Sequence, residues 1–231
     1  MKNRISLLGI IAVVAIIGLG FTACGGDDDG TGGTHTHSYD WVTSPGAIIS
    51  KKCICGEIDG VPITLTIGDT GLAGGKIIYV NPLGFTVTGL GTCYYLEAAL
   101  TNQAENVRWS STNLDVTGAT GTAIGTGKAN TAAIVAAHSG DTESNNAAKA
   151  IVAYDGGGKN DWFLPSKDEL NEMYKARTHL GISSGWFWSS SQRNKDTAWE
   201  QSFTTSGGQG NDDKSNYIFY NYKNVRAIRA F

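Results

Sequence analysis

Proline is scarce in this chain: four prolines stand against 31 glycines in 231 residues. Glycine is well above its usual share of about 7%, so the chain reads as rich in turns and loops rather than as a helical bundle. No cluster of Lys or Arg offsets the net charge of −3, and the electrostatic footprint of a nucleic-acid binder is therefore missing. No Gly-x-x-x-x-Gly-Lys-Ser/Thr string occurs to cradle phosphates, and no His-Glu-x-x-His to hold a catalytic zinc. Gly181-Ile-Ser-Ser-Gly185 matches the serine-hydrolase string. That nucleophile needs a strand before it and a helix after it, whereas here a helical pattern precedes and a strand pattern follows. These absences argue against an enzyme.

Long apolar runs are also absent, with one exception. Lys2 and Arg4 precede an uncharged stretch over 5–21, and Thr22 and Ala23 put small residues before Cys24, the order of a secretory signal with a processing site. The segment resembles a lipoprotein signal. That resemblance implies a signal peptide over 1–23, a lipidated Cys24 that fixes the chain to a membrane, and a location in the bacterial cell envelope, at the outer membrane or cell surface. Residues 24–34 are small and polar, unable to bury enough surface to fold, and read as a flexible tether.

Residues 35–60 form a small module with His35, His37, Cys53 and Cys55. Two imidazoles and two thiols are a donor set for tetrahedral zinc. The His-x-His and Cys-x-Cys spacings differ from the usual Cys-x-x-Cys, and export favours oxidised thiols. Zinc, a disulfide among Cys53, Cys55 and Cys93, and free thiols all stay open. With Cys24 lipidated, three cysteines remain, so at least one lacks an intramolecular partner.

Further along, Thr117–Gly127 reads as a loop, and Asn130–His138 and Asn146–Tyr154 as helices by propensity. His138 and His179 read as capping or surface residues. In Asp161-Trp-Phe-Leu-Pro-Ser-Lys-Asp-Glu-Leu-Asn-Glu-Met-Tyr174, Ser166 and Glu169 have the spacing of a capping box. Leu170, Met173 and Tyr174 then mark one apolar stripe of a short helix. Trp186–Trp188, Ala198–Phe203 and Val225–Phe231 read as strands.

Trp162-Phe-Leu-Pro-Ser-Lys-Asp-Glu-Leu170, Trp188-Ser-Ser-Ser191, the Trp199 to Phe203 strand and Val225-Arg-Ala-Ile-Arg229 together resemble the Lcl-type C-terminal domain, with relatives in the Fibrobacter-type major paralogous domain. The resemblance covers residues 61–231. It implies an α+β fold of C-type-lectin-like type, with short helices packed on twisted antiparallel sheets and long Gly-rich loops. It also implies an opening strand in Ile67–Tyr79 and a first helix in Tyr94–Ala99. The formylglycine-generating enzymes share a Leu-Pro…Glu helix motif, but their chemistry depends on cysteines, and this chain has none after Cys93.

The family's link to an adhesin implies binding of a protein or glycan. The Glu-Pro-Asn, Gln-Pro-Asp and Trp-Asn-Asp motifs of calcium-dependent sugar binding do not occur. Asn211-Asp-Asp213 is an oxygen-rich run of the kind calcium takes, although such runs are usually solvated loops. The segment Asn211–Asn224 offers instead a face of amide, acidic and aromatic groups: Asp212, Asp213, Asn216, Tyr217, Tyr220 and Tyr222. Tyr and Asn are the pairing favoured in paratopes. A structural envelope lipoprotein without a dedicated ligand is the alternative expectation.

Overall fold

The structure is a computed structural model that describes residues 38–53, 56–140, 146–215 and 223–231. In chain order its strands and helices are β1 (Tyr39–Ser44), β2 (Ile48–Cys53), β3 (Ile58–Ile63), β4 (Lys76–Val87), β5 (Gly91–Ala98), β6 (Ala104–Val107), α1 (Gly127–Ala137) and α2 (Ala147–Val152). They continue with α3 (Lys167–Lys175), β7 (Trp186–Gln192), β8 (Thr197–Ser202), β9 (Gln209–Asp213), β10 (Lys223–Val225) and β11 (Ile228–Ala230). The fold is mixed α+β. Three sheets run β1-β2-β3, β6-β10-β7-β8-β9 and β11-β5-β4, and among the named strand pairs only β10 with β7 is parallel.

Helix α3 forms for the reason its sequence suggests. The Glu169 N–H donates to Ser166 Oγ at 3.3 Å and the Ser166 N–H to Glu169 Oε2 at 2.7 Å, closing the capping box. Leu170 and Met173 are buried on the inner side. Helix α2 starts on Asn146, whose Oδ1 accepts from the Lys149 N–H at 3.1 Å.

One core cluster gathers Ile78, Leu96, Phe163, Leu170, Phe187 and Phe203, and a second Trp109, Ile134, Trp162, Leu164 and Trp188. The three buried indoles each satisfy their N–H: Trp109 to Ser189 O at 2.8 Å, Trp162 to Gly156 O at 3.0 Å and Trp188 to Val107 O at 2.9 Å. Truncating any of them would cost about 3–5 kcal/mol.

Two expectations need correction. Tyr94–Ala99 is not a first helix: Tyr94 to Ala98 belong to β5, the middle strand of its sheet. Neighbours on both edges bury Tyr95 and Leu96 completely, and aromatic residues suit that setting. Val225–Phe231 is not one strand. It breaks at Arg226 and Ala227, so that β10 completes one sheet and β11 another. Arg226 fastens the corner, donating from Nε and Nη2 to Asn102 Oδ1 at 3.0 and 2.7 Å.

Glycine here serves close packing as much as turning. The Glu97 carboxylate is fully buried and accepts from the Ala73 and Gly75 N–H groups at 3.0 and 2.7 Å. A Cβ on Gly71 would overlap that carboxylate. Glu169 is wrapped likewise by the glycine-rich loop, accepting from the Gly125 N–H at 2.8 Å. Gly127 has no room for a side chain beside Glu169 Oε2.

The first sheet joins the rest through Ala47 and Ile49, which pack with Ile77, Tyr94 and Tyr95. The Tyr95 hydroxyl donates to Ala47 O. Strand β3 runs through positions 60 and 61, where the sequence reading divides module from domain. Cys53 and Cys93 are free, buried thiols, not partners in a disulfide, and burial pushes the Cys93 thiol up to about 11.

Candidate functional site

Strand β9 is an edge of the five-stranded sheet, and it carries the two described residues of the expected ligand face, Asp212 and Asp213. Glu200 of β8 stands opposite both Trp188 of β7 and Gly210 of β9, so these positions share one face of the sheet. Lys223, at the start of β10, reaches over that face. Its Nζ lies 2.9 Å from Glu200 Oε2 and 3.0 Å from Asp212 Oδ2. It also sits 5.4 Å from the Trp186 ring centre and 5.7 Å from that of Trp188, within cation–π range. Burial pushes the Glu200 carboxyl up, Lys223 pulls it down and Asp212 adds to the rise, leaving it above the usual range. Trp186 remains 39% exposed at the rim.

Asp213 turns the chain out of β9. Its Oδ1 accepts from the Ser215 N–H at 2.9 Å and from Ser215 Oγ at 3.2 Å, and its Oδ2 accepts from Asn113 Nδ2 at 3.2 Å. The next residue, Lys214, is fully buried. Its ammonium donates to Gln192 Oε1 at 2.7 Å, Leu114 O at 2.9 Å and Lys195 O at 3.2 Å, and lies 4.6 Å from the Trp109 ring centre. Burial lowers its pKa to about 8, against the pull of Asp115, Asp196 and Asp213. Gln192 passes the network on through Nε2 to Asp115 Oδ1 at 2.7 Å.

On the opposite face of the same edge, Trp199 pairs with Asn211. Lys167 Nζ covers its ring at 4.3 Å. Arg193 Nη1 donates to Asn211 Oδ1 at 3.4 Å.

Asp212 and Asp213 thus serve as separate anchors: one holds Lys223, the other shapes the turn. Among the described residues no group of three or more His, Cys, Asp and Glu is arranged to hold a metal ion. Asn216, Tyr217, Tyr220 and Tyr222 lie outside the described residues, as do Cys24, His35, His37 and Cys55. Cys53 pairs with Tyr39 at the open end of the β1–β2 hairpin.

The sequence reading missed Lys214, Lys223 and Trp186. A lysine beside an acidic run looks like a solvated charge, and only the pairing of β8 with β9 and of β7 with β10 reveals that both ammonium groups are enclosed.

No family model and no curated protein matches the chain. Among the described residues no helix is long and apolar enough to cross a membrane.

Proposed function

We propose that this chain is a bacterial envelope lipoprotein, held by a lipidated Cys24, whose C-type-lectin-like domain binds a protein or glycan through the segment between β9 and β10. It binds rather than catalyses. The observation that carries this reading is the pair of buried lysines at the two ends of the Asn/Tyr-rich segment. Lys214 makes three hydrogen bonds at one end and Lys223 two ion pairs at the other. Eight residues between two such fixed points, rich in Tyr and Asn, fit a recognition segment displayed on a rigid frame. The Lcl-type motifs and the C-terminal strand returning beside β5 support the finer fold assignment. Cys24 and the apolar run before it support the anchor.

Two experiments test the two halves. Radiolabelled fatty acid should enter the wild-type protein and not Cys24→Ala; a wild type that takes up no label removes the anchor. Glycan arrays and a panel of host proteins, probed with the mature chain, should return a ligand whose binding falls when Tyr217, Tyr220 and Tyr222 are changed to Ala.

A further inference from the structure

An amine and two carboxyl groups are closed in together on the face of the five-stranded sheet that carries Trp186 and Trp188. Asp212 of β9 pairs with Ala198, and Gly210 with Glu200, so Asp212 and Glu200 stand on the same face. Lys223 comes to them from β10, on the far side of β7 and β8. Its side chain is 5% exposed, that of Glu200 8% and that of Asp212 23%. The two Trp rings flank its nitrogen and help to keep water away.

The contacts are not those of a settled ion pair. Lys223 Nζ donates to Asp212 Oδ2 at 3.0 Å. Glu200 Oε2 lies 2.9 Å from the same nitrogen, yet it is buried with no donor aligned for a hydrogen bond among the described residues. A buried carboxylate oxygen in that state is costly if it serves packing alone. It is, however, well placed to receive a proton as the amine beside it becomes a nucleophile. Burial holds the Glu200 carboxyl above its usual range despite the Lys223 charge, so the group takes up a proton readily.

We propose that Lys223 and Asp212 condense into an intramolecular amide, with Glu200 relaying the proton. Nζ gives one proton to Glu200 Oε2 and attacks Asp212 Cγ. The Nζ–Cγ bond forms and one Cγ–O bond breaks. The departing oxygen leaves as water, taking the proton returned by Glu200 and a second one from Nζ. An ammonium and a carboxylate thus become one amide and one water; Glu200 is regenerated, and no other reactant is consumed. Reacting groups held about 3–3.5 Å apart are already oriented for such a step. Enclosure favours the product, because two buried charges give way to a neutral group. The bond reaches from β9 across β8 and β7 to β10 and closes residues 213–222 into a covalent loop.

Tryptic peptide mapping of the full protein tests the bond, whatever the state of Cys24 and whether or not a ligand is found. Trypsin cuts after Lys195, Lys214 and Arg226 but not after an acylated Lys223. The wild type should therefore yield Asp196–Lys214 joined to Ser215–Arg226, lighter by one water than the two peptides together, with fragmentation placing the branch at Asp212 and Lys223. Lys223→Arg should give only unbranched peptides of full mass. Glu200→Gln, which keeps the shape but cannot relay a proton, should lower the branched fraction by about tenfold or more. A wild type cut cleanly after Lys223 would overturn the proposal, a reading that needs no variant to fold. Loss of water that persists in Lys223→Arg, as from a cyclised aspartate, would overturn it as well, and an undiminished branch in Glu200→Gln would overturn the relay.

Discussion

Arg229 grips Asp161 with two parallel hydrogen bonds, Nε to Oδ1 and Nη2 to Oδ2, each 2.9 Å long. The same guanidinium reaches Glu97 Oε2 at 3.3 Å. The closing strand is thereby tied to the start of the Trp162 run and to the carboxylate under the Gly71–Gly75 turn. Three sequence motifs far apart in the chain meet at one side chain.

Arg229→Ala should destabilise the protein by about 3–5 kcal/mol, because two buried or partly buried carboxylates lose their cation. Arg229→Lys should recover only part, since an ammonium cannot make the fork. Urea unfolding measures both. Burial raises Asp161, but the hydrogen bonds and charge of Arg229 outweigh it and hold the carboxyl below the usual range. Its contribution is present above the ordinary carboxylate pKa and is lost as pH falls through the depressed value.

Glu169 should show the opposite sign. Burial raises it from 4.5 to about 7, against the Ser166, Gly125 and Gly127 N–H groups that pull it down. A raised folded pKa gives stability that is complete below about 4.5 and lost as pH climbs through about 7, a change of about 3 kcal/mol. Glu169→Gln, which sets an NH₂ group against an N–H donor, should be less stable than wild type at pH 5. The gap should narrow by pH 8 in paired denaturation curves.

Gly127→Ala should be strongly destabilising, because the new Cβ overlaps Glu169 Oε2 and approaches Ser166 N and Leu164 O. Gly140→Ala, where nothing lies within 4 Å, should change stability by less than about 0.5 kcal/mol. Thermal melts of the two variants separate close packing from general glycine flexibility.

Lys214→Met should lower stability by about 2–3 kcal/mol, leaving Gln192 Oε1 and two carbonyls without their shared donor. On the proposed function it should also weaken ligand binding at temperatures where the domain is still folded, as it removes the fixed point at one end of the proposed binding segment. Binding isotherms below the melting range test the second effect.

Much of the scaffold is legible in the sequence, because its signals are local. Ser166, Glu169, Leu170 and Met173 specify α3 through capping and a helical apolar stripe. The aromatic runs at Trp186 and Trp199 specify strands. The helix expected at Tyr94–Ala99 is implied by the family resemblance alone, and the run itself has no period that separates helix from strand; its neighbours β4 and β11, the latter more than a hundred residues away, decide. The break at Arg226 is hidden for the same reason, since it depends on which sheet each half joins. At the candidate site, Asp212 and Asp213 are visible as an acidic pair, but their roles as anchors for Lys223 and the Ser215 turn depend on tertiary pairing.

The central claim is that a ligand binds through the segment between Lys214 and Lys223, and the most direct measurement is the affinity of the mature chain for its best array or host-protein ligand. The variant for comparison combines Tyr217→Ala, Tyr220→Ala and Tyr222→Ala. Loss of binding by tenfold or more, about 1.4 kcal/mol, with an unchanged melting temperature is the predicted result. Binding that survives all three substitutions in the folded variant would contradict it.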